Sequence, residues 1–332
     1  MIKILGIEST AHTFSVSVVE SNNFLKGNIL SNVKHSYIPP NGSGIHPREA
    51  SRHHSKYCAQ ILKEALTKSN TKIDDIDGIA FAIGPGLGPC LRVGAVIART
   101  LATYYSKPLI PVNHAIGHIE LASMLAGVDD PVVLLVTGGH TLISIFSNKR
   151  WRIFGETLDI TIGQLFDQFG RHIGFSSPCG MKIEELASNS EQYLELPYTV
   201  KGNDVSLSGI LTSSKKLLLN NSIETVANSI QETAFSMLLE VTERAIAFSG
   251  KNNILIAGGV AANTRLNQML NLMSKDRGIT FSSCPIEYSG DCGAQIAWTG
   301  LLAYNSGLNV KVSDSKIRQA WRIDEVDIIW RK

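Results

Sequence analysis

A strand–turn–strand unit occurs twice in this sequence, and that duplication constrains the fold more than any other feature. Ile2 to Ile7 is apolar enough for a buried strand, Glu8-Ser9-Thr10 is a polar turn, and Phe14, Val16 and Val18 alternate as a second strand requires. The same order returns from Val132 to Val136, turns at Thr137-Gly138-Gly139-His140-Thr141 and leaves through Leu142, Ile143, Ile145 and Phe146. Two such units predict two related halves built on two sheets that face each other. Tyr57/Cys58, Ile61/Leu62 and Ala65/Leu66 recur every four residues, which predicts an amphipathic helix on the first sheet. Ile79 to Ile83 reads as a buried strand, and Gly84-Pro85-Gly86-Leu87-Gly88-Pro89 as a turn leading into a helix through Val93, Val96, Ile97 and Leu101. A long amphipathic stretch from Ile223 to Phe248 precedes the strand Ile254 to Ala257 and the turn Gly258-Gly259. Strands alternating with helices indicate an α/β protein. The expected division is an N-terminal lobe, residues 1–127, and a C-terminal lobe, residues 128–332, the latter carrying a helical insert at about residues 151–230.

A chain of 332 residues with 44% hydrophobic content can bury a full core in two lobes around one cleft. Its 31 basic residues nearly balance 29 acidic ones, so the composition carries no broad electrostatic footprint for nucleic acid, though a local basic patch is compatible with it. Glu8 interrupts the opening apolar run where a secretory segment needs it unbroken, and no run approaches membrane-spanning length, so the expected location is the cytoplasm. Five cysteines without a Cys-x-x-Cys pair suit free thiols.

His114 and His118 stand four apart after Asn113, a spacing that puts two imidazoles on one helical face and suits chelation of a divalent ion. Standing alone, such a pair is more often two surface or core histidines that happen to lie four apart. Ala115 follows His114 where a His-Glu-x-x-His protease has its glutamate base. Gly138-Gly139 and Gly258-Gly259 each end an apolar strand, where glycine lets backbone N–H groups approach a phosphate or simply closes a tight turn. The Gly84 to Pro89 turn lacks Gly-Lys-Ser/Thr and so is no Walker loop. Asp291, between glycines near a helix start, reads as a cap or as a metal carboxylate. Asp167 and Glu184 read as cleft residues or as exposed helical carboxylates, and His46, His53 and His54 as solvated or capping groups on a helix start.

Together, in this order, the segments change that balance. Gly6-Ile7-Glu8-Ser9-Thr10, Gly44-Ile45-His46-Pro47-Arg48-Glu49-Ala50, Gly84 to Gly94, Asn113 to His118 and Gly258-Gly259-Val260-Ala261-Ala262-Asn263 span nearly the whole chain. As a set they resemble the tRNA threonylcarbamoyladenosine synthesis family, which contains the catalytic subunit of the KEOPS complex and its bacterial counterpart TsaD. The undivided Gly-Pro-Cys-Leu-Arg-Val-Gly at residues 88–94 and the tail Arg322-Ile323-Asp324-Glu325-Val326 are closer to the archaeal and eukaryotic branch. The resemblance implies the two-lobed actin/Hsp70/sugar-kinase fold and one divalent metal ion, iron or zinc, held by His114, His118 and Asp291. It implies further that Thr137, Gly138, Gly139, Asp167, Gly180, Glu184 and Asn263 bind ATP or threonylcarbamoyl-AMP.

The implied reaction moves threonylcarbamoyl from its mixed anhydride with AMP to N6 of the tRNA adenosine beside the anticodon, and no residue announces itself as a general base. Implied partners are tRNA and the KEOPS subunits, a small dimerising subunit and an atypical kinase that in some archaeal members is fused after this domain. Leu135 stands where archaeal members place a tyrosine ligand, Thr137 and His140 where serine and often asparagine are found, and Cys179 where a glycine precedes Gly180. Two rival readings are a metalloprotease of the glycoprotease type and a nucleotide-binding scaffold without catalysis.

Overall fold

The computed structural model describes residues 1–22 and 25–331. Ile2–Glu8 (β1), Thr13–Ser21 (β2) and Asn28–Ser36 (β3) form an antiparallel meander, followed by Pro47–Lys68 (α1), Gly78–Gly84 (β4), Gly88–Tyr104 (α2), Leu109–Asn113 (β5) and His114–Ala126 (α3). The first sheet runs β3-β2-β1-β4-β5, with β4 parallel to β1 and β5 parallel to β4. The chain then builds Val132–Val136 (β6), Thr141–Ser147 (β7) and Arg150–Glu156 (β8) as a second antiparallel meander. Next come Ile162–His172 (α4), Gly180–Ala187 (α5), the short pair Val200–Lys201 (β9) and Asp204–Val205 (β10), and Ser208–Leu217 (α6). Ile223–Ser249 (α7), Asn253–Ala257 (β11), Thr264–Arg277 (α8), Thr280–Ser283 (β12), Ile286–Ser289 (α9) and Gly293–Asn305 (α10) complete the second half. Its sheet runs β12-β11-β6-β7-β8, which in reverse order repeats the first sheet strand for strand.

The stretch expected to open a helical insert begins instead with β8. Arg150 and Arg152 dilute its apolar signal, yet Trp151 is fully buried and the strand pairs along β7. Helix starts only at Ile162, where Thr161 accepts the Gln164 amide and Gln164 reaches back to the Thr161 N–H, a capping box.

The two sheets do not meet face to face, because two helices lie between them. Ala294, Ala297, Trp298 and Leu301 of α10 pack on Ile4, Val19, Ala80 and Ala82 of the first sheet. Ala115, Ile116 and Ile119 of α3 pack on Val133, Leu135, Leu255 and Ala257 of the second. Each inner helix therefore comes from one half and covers the sheet of the other. The approach is close enough to demand glycine: a Cβ on Gly6 of β1 would stand 2.2 Å from the Ala297 nitrogen of α10. Outside, α1 and α2 cover the first sheet through Ile61, Ala65, Ala95 and Ala98, and residues of α4 to α8 cover the second.

After α10 the chain crosses both halves again. Val310 bridges to Leu109, the Arg318 N–H donates to the Ile83 carbonyl, and Asn113 Nδ2 donates to the Trp321 carbonyl. Ile323, Val326 and Ile328 then join the core beneath α3. At the end Arg331, largely buried, donates to both carboxylate oxygens of Glu120 on α3, at 2.9 to 3.1 Å. Among the described residues no helix is long and apolar enough to cross a membrane.

Candidate metal centre

Helix α3 starts at His114 because Asn113 ends β5 and caps the helix, its Oδ1 accepting the Ala115 and Ile116 amides at 3.0 and 3.1 Å. His114 and His118 then lie one turn apart on the buried face, their ring centroids 4.7 Å from each other. Asp291 reaches them from the other half of the molecule, two residues before α10, with Oδ1 3.5 Å from His114 Nε2 and 3.3 Å from His118 Nε2. One ligand atom from each residue falls within 4.8 Å of the other two. Ligand atoms at bonds of about 2.0–2.1 Å around a tetrahedral ion stand roughly 3.3–3.4 Å apart, which the two distances from Asp291 match. Two imidazoles and a carboxylate suit zinc or iron.

Behind this set lies a fully buried carboxylate. Glu8, at the end of β1, accepts from His114 Nδ1 at 2.8 Å through Oε2, and its Oε1 accepts the Thr10 amide at 2.6 Å. Gln295 Nε2 donates to the same Oε2 at 3.4 Å. With Nδ1 committed to Glu8, the lone pair of His114 is directed through Nε2 towards Asp291. Burial opposes a charge on His114, but Glu8 and Asp291 outweigh it and push its pKa up to about 9. Burial alone also disfavours ionised Asp291, yet the adjacent His114 and His118 hold it below the usual carboxylate range. His118 is shifted the other way, burial lowering its pKa against the pull of Asp291. Buried Glu8 and half-buried Asp291 thus draw positive charge between them, and a divalent cation satisfies that demand with both imidazoles neutral.

Thr137 sits in the β6–β7 turn, where its Oγ1 accepts the Gly139 and His140 amides at 3.0 and 2.8 Å. Gly138 and Gly139 are exposed there, and nothing lies within 4 Å of a Cβ built on Gly138. The start of α4 closes against this turn, Thr161 Oγ1 donating to the Gly138 carbonyl at 2.8 Å. Asp167 on α4 accepts the Cys179 amide at 2.7 Å, which brings it beside Gly180 at the start of α5. Glu184 on α5 accepts the Thr264 amide at 2.7 Å, which brings it beside Asn263. Asn263 caps α8 through Oδ1 and donates from Nδ2 to Gln231. The implied nucleotide residues therefore form two linked groups, one at the glycine turn and one around α4, α5 and α8. A cleft of about 690 Å³, bounded by Glu184, Gln231, Thr264 and Arg265, adjoins the second group and includes none of the metal triad.

Leu135 is buried in the core under α3, where it packs rather than coordinates. Cys179 fills the space left by Gly170, whose Cβ would stand 2.5 Å from its sulfur, and burial pushes its thiol pKa up to about 11. His140, half-buried beside Thr137, has its pKa lowered by burial and by His114 and His118. His54 departs from the expectation of a solvated group. It is fully buried and its Nε2 donates to the Ala11 carbonyl at 3.0 Å, in the loop that follows Glu8 and Thr10. With Nε2 the donor, His54 Nδ1 accepts from His53 Nδ1 at 3.4 Å, and His53 Nε2 accepts from His35 Nδ1 at 2.7 Å. His46, by contrast, occupies the N-cap position of α1 without a side-chain capping bond. Sequence reasoning missed Glu8, Thr10 and Gln295 as supports of the metal pair; the available signal was a carboxylate closing an apolar strand that the fold buries.

A model of the TsaD family, described as tRNA N6-adenosine threonylcarbamoyltransferase, matches residues 28–298. The protein of that name from Caldivirga maquilingensis is 50% identical over 98% of both chains, and that from Thermococcus kodakarensis is 47% identical over 98% of this chain and 99% of its own. Among solved structures, HypF of T. kodakarensis superposes with a TM-score of 0.64 at 14% identity, covering 92% of this chain and 48% of its own. The activator of 2-hydroxyisocaproyl-CoA dehydratase from Clostridium difficile superposes with a TM-score of 0.54 at 11% identity, covering 93% and 100%. At such identities the structural likeness is one of fold, and the fold is the two-lobed actin/Hsp70/sugar-kinase type. The full-length sequence matches and the buried His114–His118–Asp291 set together make this chain a member of the TsaD family of tRNA N6-adenosine threonylcarbamoyltransferases.

Proposed function

We propose that this chain transfers a threonylcarbamoyl group from threonylcarbamoyl-AMP to N6 of the adenosine beside the anticodon of a tRNA. The observation that carries the reading is the buried triad with its ligand atoms within 4.8 Å and Glu8 bonded behind it. His114, His118 and Asp291 hold an iron or zinc ion, which when bound supplies Lewis acidity to the carbamoyl carbonyl. Glu8 and Gln295 keep the His114 ring in one orientation. The exposed Gly138 backbone takes the AMP phosphate, while Thr137 uses its hydroxyl to fix the turn. Asp167, Gly180, Glu184 and Asn263 line the adenosine side, where ATP also fits. N6 attacks the carbamoyl carbon, the bond to the AMP oxygen breaks, and the surplus N6 proton passes to solvent; AMP is a good enough leaving group that no strong base is needed.

The lobes we assign, residues 1–127 and 128–332, each contain one five-stranded sheet, with α10 returning to the first. Near-neutral charge, +2, leaves little phosphate attraction for tRNA on this chain alone, which favours work alongside KEOPS partners, a kinase and a small dimerising subunit, in the cytoplasm. Metal analysis of the purified chain, combined with transfer of labelled threonylcarbamoyl to tRNA with and without those partners, tests the reading. Undiminished transfer by His114→Ala would overturn the metal-dependent mechanism, and metal-dependent release of peptides from a protein substrate would favour the protease instead.

A further inference from the structure

The tail that crosses both halves passes directly over the start of the metal helix. The carbonyl of Trp321 is 3.1 Å from Asn113 Nδ2, and Asn113 is the cap from which His114 continues. The next residue is Arg322. Its Nη2 donates to Glu156 Oε1 at 3.0 Å and its Nε to Asp324 Oδ1 at 3.2 Å. Glu156 ends β8 opposite Leu142, and Thr157 after it donates its amide to the carbonyl of Thr141, the residue after His140. Arg322 is thus held between the N-terminus of α3 and the β6–β7 turn, the two places that carry the metal histidines and the open glycines. Its side chain is 47% exposed, and its Nη1 has no hydrogen bond among the described residues. Among the charged groups that act on His140 in that turn, Arg322 is the permanent cation; the others are the His114 and His118 imidazoles and the Asp291 carboxylate.

A threonylcarbamoyl group carries a free carboxylate three bonds from its reacting carbon. Bringing that anion up to a site that already holds the carboxylates of Glu8 and Asp291 is unfavourable without a matching cation. Resting on the transferase reading above, we propose that Arg322 binds the carboxylate of the threonylcarbamoyl donor through its free Nη1 edge and so selects amino-acid-derived carbamoyl groups. Glu156 and Asp324 preorient the guanidinium; both are partly exposed, so water screens their hold on its charge.

Two non-hydrolysable sulfamide analogues of threonylcarbamoyl adenylate test this, one complete and one with the carboxylate replaced by methyl, titrated calorimetrically into metal-loaded protein. Wild type is expected to prefer the carboxylate analogue by about 10- to 100-fold, the range of a hydrogen bond to a charged group. Arg322→Gln is expected to reduce that preference to about threefold or less while binding the methyl analogue as wild type does, which also reports that the cleft is intact. Arg322→Lys should restore part of the preference, and Glu156→Gln, which removes a competing acid, should raise it. Retention of the full preference by Arg322→Gln would assign the carboxylate to the metal alone and overturn the proposal. Equal weakening of both analogues would make Arg322 a strut of the tail and overturn it too. Failure of wild type to bind either analogue would overturn the transferase reading, and this assignment with it.

Discussion

The two halves place a turn at the same point of the same topology, and they use it in opposite ways. The β1–β2 turn is folded inward: Glu8 and Thr10 are buried, the glutamate accepts from its own turn and from His114, and the space around it is full. The β6–β7 turn is folded outward: Thr137 satisfies two amides itself, Gly138 and Gly139 are exposed, and Gly138 faces open space. A duplicated scaffold supplies two strand ends at one cleft, and side-chain size decides which becomes a support for a cation and which stays free for a ligand.

The comparison can be broken most severely at the metal. Replacing His118 or Asp291 by alanine removes a ligand and should lower metal affinity by more than the ~10- to 100-fold typical of outer partners, leaving protein purified with far less than one ion and no transfer. Glu8→Gln keeps an oxygen for the Thr10 amide but removes the charge behind His114. It should weaken metal binding by about 10- to 100-fold in a chelator competition, and wild-type affinity in this variant would contradict an inward, supporting turn. The outward turn is probed by a pair of alanines. Gly138→Ala meets nothing within 4 Å and should change stability by less than ~0.5 kcal/mol, yet lower adenine-nucleotide affinity measurably. Gly258→Ala, at φ +99° with a Cβ 2.4 Å from the Val136 carbonyl oxygen, should cost about 1–3 kcal/mol of unfolding free energy.

The last test is a pH dependence beside the inward turn. Burial lowers His53 and His54 from 6.5 to about 4. Between those values the unfolded chain binds protons that the folded chain does not, so stability rises with pH. The contribution is complete above about 6.5 and is lost as pH falls towards 4. His53→Phe should reduce the slope of thermal stability across that window and leave the share of His54, and an unchanged slope would show that His53 is not held neutral.

Much of this could be read from the chain. The duplicated strand–turn–strand units predicted two related sheets because a period of two survives in buried strands, and Asn113 with His114 and His118 predicted a capped helix carrying both imidazoles on one face because capping and one-turn spacing are local. What escaped was non-local. Glu8 looked like a turn residue since nothing nearby in sequence says that β5 will deliver His114 against it. His54 looked solvated because its partner, Ala11, is forty-three residues away. β8 was hidden by two arginines that point away from Trp151.

The exchange of inner helices bears on how the molecule is made. Residues 1–113 complete the strands of the first sheet, but the face carrying Ile4, Val19, Ala80 and Ala82 finds most of its cover in residues 293–305. During synthesis that apolar face has to wait for almost the whole second half to emerge, and the contacts that close it are among the most distant in the chain. Asp291 arrives just ahead of the same helix, so the ion-binding set is assembled in the last step that also seals the first sheet.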